Sequence, residues 1–196
     1  MSVKSRIVAG IDLAGVETRP TGLCFLKNCF TTLEIIHFDS EIIKRILEKK
    51  PLVVAIDAPL SLPREDPSAS FRECDRAVRR MGIRILPLSL SGMRKLTLRG
   101  IRIREWLEIL GFTVIETYPR AALELLGFSA RRGKYLRKTI VEKFGLKGDV
   151  NRELSVHELD ALVCALVAKL YLEEKTIAVG DPYEMLIVLP CSQCLE

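Results

Sequence analysis

Histidine occurs only twice in this 196-residue chain, at His37 and His157, and side-chain amides only three times, at Asn28, Asn151 and Gln193. Scarce histidine argues against an imidazole-built zinc or copper centre. Amide depletion beside abundant lysine, arginine and glutamate is the composition of proteins that work hot. No uninterrupted apolar run approaches the ~20 residues that span a bilayer. The opening MSVKSRIVAG carries a lysine and an arginine but no apolar signal core. The expectation is therefore a cytoplasmic chain with no membrane partner. Internal repeats and low-complexity linkers are absent as well. Of the six cysteines, only Cys191 and Cys194 stand at CxxC spacing, and no second pair completes a zinc site. A disulfide at that pair fits a hot-living source. Cys24, Cys29, Cys74 and Cys164 lie in apolar or helical contexts and read as packing residues.

What is present suits one globular domain over residues 1–196, with 48% hydrophobic residues in 22.1 kDa. The net charge of +5 is unevenly spread. Between Arg64 and Arg104 stand eleven basic residues against four acidic ones. A second cluster, RRGKYLRK, begins at Arg131. Localised arginine suits a polyanion, whose phosphates Arg72, Arg76, Arg79, Arg80, Arg131 and Arg132 would hold. A solvated helix face is the competing account.

Along the chain, IVAGID, TGLCFLKN and LEIIHF read as a three-strand meander. SEIIKRILEKK follows as a helix with Ser40 as its N-cap. LVVAID is a further strand, and residues 61–105 form a basic helical insertion. WLEILGF reads as a helix ending near Gly111, and TVIETYP as a strand closed by Pro119. SVHELDALVCALVAKLYLEE is a long helix, and TIAVGDPYEMLIVLP a hairpin turning at Asp181 and Pro182. This order implies an α/β fold with a mixed sheet flanked by helices: a meander plus two parallel strands, the insertion and the terminal hairpin.

Four acids sit where acids are costly. Asp12 and Asp57 end strands of β-branched and small apolar residues; Glu116 lies in FTVIETYP, and Asp160 lies in an otherwise apolar helix face with His157. Buried carboxylates need a partner or a cation. Acids at equal depth on neighbouring strands, with a helix crossing above, can converge on one point. Ala161, Ala165 and Ala168 would let that helix approach closely. Such an oxygen-rich set suits Mg²⁺ or Mn²⁺, and a pair of such ions on a phosphodiester performs hydrolysis. Structural accounts compete at each position: a turn cap for Asp12, an Asx turn for Asp57, pairing with Arg120 for Glu116, and a partly exposed helix start for His157. Glu41 is a rival ligand, though a first-turn glutamate also complements the helix dipole.

GIDLAG, AIDAPLSLP, FRECDRAVRRMGI, VIETYPRAAL and HELDALVCALVA, in that order, resemble a family of predicted RNase H-fold nucleases, domain of unknown function 429. The resemblance runs from Ile7 to about Pro190. The HxxD spacing of His157 and Asp160 is also similar to the closing motif of RuvC-type Holliday junction resolvases. The resemblance implies an RNase H-like sheet and a metal-dependent nuclease acting on DNA or RNA. Asp12, Asp57, Glu116 and Asp160 would be its metal ligands and His157 an auxiliary. A homodimer is compatible with it. Two other classes remain: a nucleic-acid-binding module with a vestigial acidic site, and an actin-like ATP phosphotransferase fragment, since GIDLAG is also similar to the first phosphate loop of such kinases.

Overall fold

A computed structural model describes residues 6–128 and 135–194. Its centre is β1 (Ile7–Asp12), four of whose six residues are buried, as expected of a strand covered on both faces. Strands β2 (Thr21–Lys27) and β3 (Phe30–Ile36) pair antiparallel in the expected meander. Helix α1 (Asp39–Lys49) follows. Its cap is Phe38, not Ser40: the Glu41 carboxylate accepts the His37 and Phe38 amides at 3.0 Å each, which starts the helix earlier. These bonds hold the Glu41 carboxyl below its ordinary range, and they account for its position at the helix start.

Strand β4 (Val53–Asp57) runs parallel to β1. Between it and the parallel β5 (Thr113–Glu116) lie α2 (Glu73–Arg80) and α3 (Ser91–Ile109). Helix α3 spans 19 residues, far longer than WLEILGF indicates, because its arginines sit on a helix with a buried side at Thr97, Gly100, Ile103 and Leu107. Then come α4 (Pro119–Leu125), α5 (Leu136–Phe144), the short β6 (Lys147–Gly148), α6 (Val156–Leu172) and the antiparallel pair β7 (Thr176–Val179) and β8 (Ile187–Pro190). The terminal hairpin does not stand apart: β8 pairs parallel with β5 and extends the sheet. With β6 beside β3, the sheet among the described residues has eight strands in the order β6-β3-β2-β1-β4-β5-β8-β7. Cys191 is disulfide-bonded. None of the described helices is long and apolar enough to cross a membrane.

The alternation of side chains divides the core. Val8, Ala55 and Ile115 face α6, α4 and α5, while Ala9, Ile11 and Ile56 face α1 and α3. Helix α6 lies almost directly on the backbone of the first two strands. A Cβ built on Gly10 would stand 2.1 Å from the Ala161 carbonyl oxygen, and one on Gly22 2.1 Å from that of His157. Only glycine fits at either place.

Candidate metal centre

Asp12 and Asp57 are the last residues of β1 and β4, and the parallel register sets them side by side. Counting by twos from Val8 and Val53 places both on the α6 side of the sheet. Above them, Asp160 sits in the second turn of α6, 4% exposed. One carboxylate oxygen from each of the three lies within 4.8 Å of the others. The contact of α6 with Gly10 and Gly22 sets this spacing, since a helix held one side chain farther out could not bring Asp160 down.

The start of α6 is fixed by a capping box. Ser155 Oγ accepts the Glu158 amide, and the Glu158 carboxylate accepts the Ser155 amide and hydroxyl while pairing with Arg152. Burial pushes the Glu158 carboxyl up, but the bond from Arg152 and those from Ser155 outweigh it and hold it below the usual range. One residue earlier, His157 Nδ1 stands 2.6 Å from Asp12 Oδ2, with the imidazole half exposed. The loop after β1 is held by Arg99. This guanidinium is buried, pairs with Asp39 at 2.7 Å and donates to the Ala14 and His37 carbonyls.

Three ionised carboxylates this close repel by about 3.5 kcal/mol per pair at an effective dielectric of ~20. The buried Cys164 thiol beneath them senses that field: burial first, then Asp57, Asp12 and Asp160, push it well above its ordinary value. A hard, all-oxygen donor set is what Mg²⁺ and Mn²⁺ take, so Asp12, Asp57 and Asp160 fit such an ion.

Glu116 does not join them. On β5 it is in register with Ile56, one residue short of Asp57, and the alternation turns it to the opposite face with Val114. There it binds Arg72, not Arg120, which pairs with Glu124. Arg72 Nη1 and Nη2 reach the two Glu116 oxygens at 2.7 and 2.6 Å, and the Leu60 amide adds a third donor at 2.8 Å. Arg72 also binds Asp75 through Nε, Nη2 and its own amide. All three residues are at most 3% exposed. Burial raises the Glu116 carboxyl, against the opposing pull of Arg72 and of these hydrogen bonds. Asp75, Glu116 and Cys74 form a second group with metal-ligand spacing, but here the guanidinium already supplies the cation.

Arg72 is therefore spent on an internal ion pair and offers no surface to a phosphate. Arg76 pairs with Glu73 at 2.7 Å, and Arg80 lies 3.9 Å from the same carboxylate while remaining well exposed. Arg79 stacks over the Phe71 ring at 4.3 Å. These three lie together on α2. Arg131 and Arg132 lie outside the described residues. Sequence reasoning missed Arg72 as a buried partner, although an acid three residues after an arginine at a helix start is a local cap signal. It also missed Gly10 and Gly22, whose sole trace is glycine inside otherwise bulky strands.

The family described as "Protein of unknown function (DUF429)" matches residues 10–184. The chain belongs to this family. No curated protein matches it. Among solved structures, this DUF429 chain is similar to Thermus thermophilus RuvC in complex with a Holliday junction substrate, at 14% identity and a TM-score of 0.51, covering 92% of this chain and 99% of that one. It is likewise similar to a structure of Thermus thermophilus RuvC, at 16% identity and a TM-score of 0.50, covering 86% and 96%. The DUF429 chain thus has the RNase H-like mixed sheet flanked by helices that its motifs led one to expect.

Proposed function

We propose that this DUF429 protein is a divalent-metal-dependent nuclease that hydrolyses phosphodiester bonds in DNA or RNA. The observation that carries this is the convergence of Asp12, Asp57 and Asp160 within 4.8 Å at the carboxyl ends of two parallel strands. Bound there, Mg²⁺ or Mn²⁺ would supply Lewis-acid activation of water and stabilisation of the leaving oxygen. The chain's own residues do the rest. Asp12 orients the His157 ring through Nδ1, which leaves Nε2 to exchange a proton at the half-exposed edge of the site. Arg99 holds the backbone that follows Asp12. Arg76, Arg79 and Arg80 on α2 supply positive charge that can hold a phosphate backbone. Glu116 takes no part in metal binding; its work is to anchor Arg72. The likeness to a resolvase bound to a Holliday junction is what puts nucleic acid ahead of other phosphodiesters.

The test is cleavage of end-labelled single-stranded, duplex and four-way junction DNA and of RNA with Mg²⁺, Mn²⁺ or EDTA. Cleavage is expected with either ion, and none in EDTA or in Asp160→Asn. Cleavage that survives both would refute the assignment. Tight binding with no turnover of any substrate in Mn²⁺ would leave a binding module with a vestigial site.

A further inference from the structure

Over the carboxyl ends of β1, β4 and β5, on the side of α2 and α3, lies a cavity of about 210 Å³. Asp12 and Asp57, the last residues of their strands, belong to its wall, so it adjoins the strand ends that carry the carboxylate centre. Its other sides are mostly apolar, including Pro59, Leu86, Met93, Leu96 and Tyr118. Its most buried charged lining residues are Arg72, Asp75 and Glu116, at most 3% exposed, and these mark its inner end.

We infer that this cavity receives one unstacked base of the substrate, so that the strand is cut next to a nucleotide drawn out of its stack. The inference rests on the nuclease assignment and adds the form of the substrate to it. Three features select a neutral ring over other occupants. The inner end has two carboxylates to one guanidinium, with every Arg72 donor group already bonded, so it repels a phosphate and has no cation to give one. A nucleotide entering here therefore keeps its phosphate outside, at the metal centre, and sends its base inward. The walls are apolar and include the aromatic Tyr118, whose hydroxyl donates to the Arg84 carbonyl at 2.9 Å and so restrains the side chain. The volume suits a single heterocycle, whereas a base pair with its second backbone is too large for it.

The cavity is also held open before any ligand arrives. Glu184, between the terminal strands, accepts the Arg64 and Glu73 amides at 2.9 and 3.0 Å. Ser61 Oγ accepts from both Arg72 and the Met185 amide. These bonds tie the connection after β4 to the segment before β8. A preformed pocket loses little entropy on binding.

The experiment measures, by calorimetry in Mn²⁺, the affinity of the wild-type protein for deoxynucleoside 5′-monophosphates and for 2-deoxyribose 5-phosphate, in which a hydroxyl takes the place of the base. At least a tenfold preference for the nucleotides is expected. Met93→Trp, which fills the cavity without replacing any charged group, should abolish that preference while the rise in Tm caused by Mn²⁺ persists. Equal affinity for the two ligands, or no binding of either, overturns the inference, as does a preference that survives in a folded Met93→Trp. Should that variant not fold, the wild-type comparison still decides. Polymer cleavage with equal affinities would remove the base site and leave the nuclease. A clear nucleotide preference without cleavage of any polymer would do the reverse.

Discussion

Glu116→Gln removes one charge from the buried cluster and changes almost no volume. In the wild type, Glu116 presents two acceptors to two Arg72 nitrogens at 2.6 and 2.7 Å. Glutamine presents one acceptor and one NH₂ group, so a guanidinium N–H meets a donor in a site that water barely reaches. Removing one partner of a buried ion pair costs about 3–5 kcal/mol, and because Asp75 still faces Arg72 the loss falls at the lower end, about 3 kcal/mol. For a chain of this size about 1 kcal/mol corresponds to ~2–4 °C, so Tm should fall by about 6–12 °C. Arg72→Met leaves two buried carboxylates with no cation between them and should lower Tm further, by about 10–20 °C at ~5 kcal/mol. Thermal unfolding followed by circular dichroism, with and without Mn²⁺, reads both effects. The upward shift caused by Mn²⁺ should be as large in Glu116→Gln as in the wild type, because Glu116 lies on the other face of the sheet. A variant that melts at the wild-type temperature but no longer responds to Mn²⁺ would make Glu116 a ligand and refute this reasoning.

Asp12→Asn should behave in the opposite way: relief from two carboxylate neighbours outweighs the weakened bond to His157, so the variant should melt a few degrees higher in EDTA and lose most of its stabilisation by Mn²⁺. A lower Tm in EDTA with the Mn²⁺ response intact would take Asp12 out of the centre. Replacing Arg79 and Arg80 by alanine should weaken nucleic-acid binding equally across sequences and flatten its dependence on salt; an unchanged salt slope would make them a solvated face. Glu158, whose folded-state pKa is lowered, contributes stability that is present above the ordinary glutamate range and lost as pH falls below about 4.3 toward the folded-state value. Urea titrations across pH 3–7 should therefore show a shallower acid-side loss for Glu158→Gln, and an acid limb identical to wild type would count against the role of that cap.

Asp12, Asp57 and Asp160 were readable because each is an acid inside an otherwise apolar element, a conflict that the sequence itself displays. Glu116 displays the same conflict, yet its resolution is different. Which face it occupies depends on the register of β5 against β4, and a shift of one residue reverses the answer. No local pattern encodes that register. The partner of Glu116 was hidden for a related reason: Arg72 lies far away in sequence, within a run of arginines that all resemble surface charge until α2 folds over the sheet. The terminal hairpin was visible as two strands and a turn, but not its attachment to β5, which is a pairing between distant segments. Helix α3 was visible only at its apolar end, since arginines at its other end mask the periodicity.

The placement of Asp160 on α6 bears on the order in which the molecule comes into being. Both strand aspartates leave the ribosome long before Asp160, and the tie from Glu184 to the connection after β4 is made later still. At synthesis rates of ~5–20 residues per second, a growing chain spends several seconds holding Asp12 and Asp57 without the third carboxylate. It cannot assemble the complete centre during that interval. A chain still being translated, in contact with its own messenger, therefore lacks the third carboxylate until α6 has emerged and settled on Gly10 and Gly22.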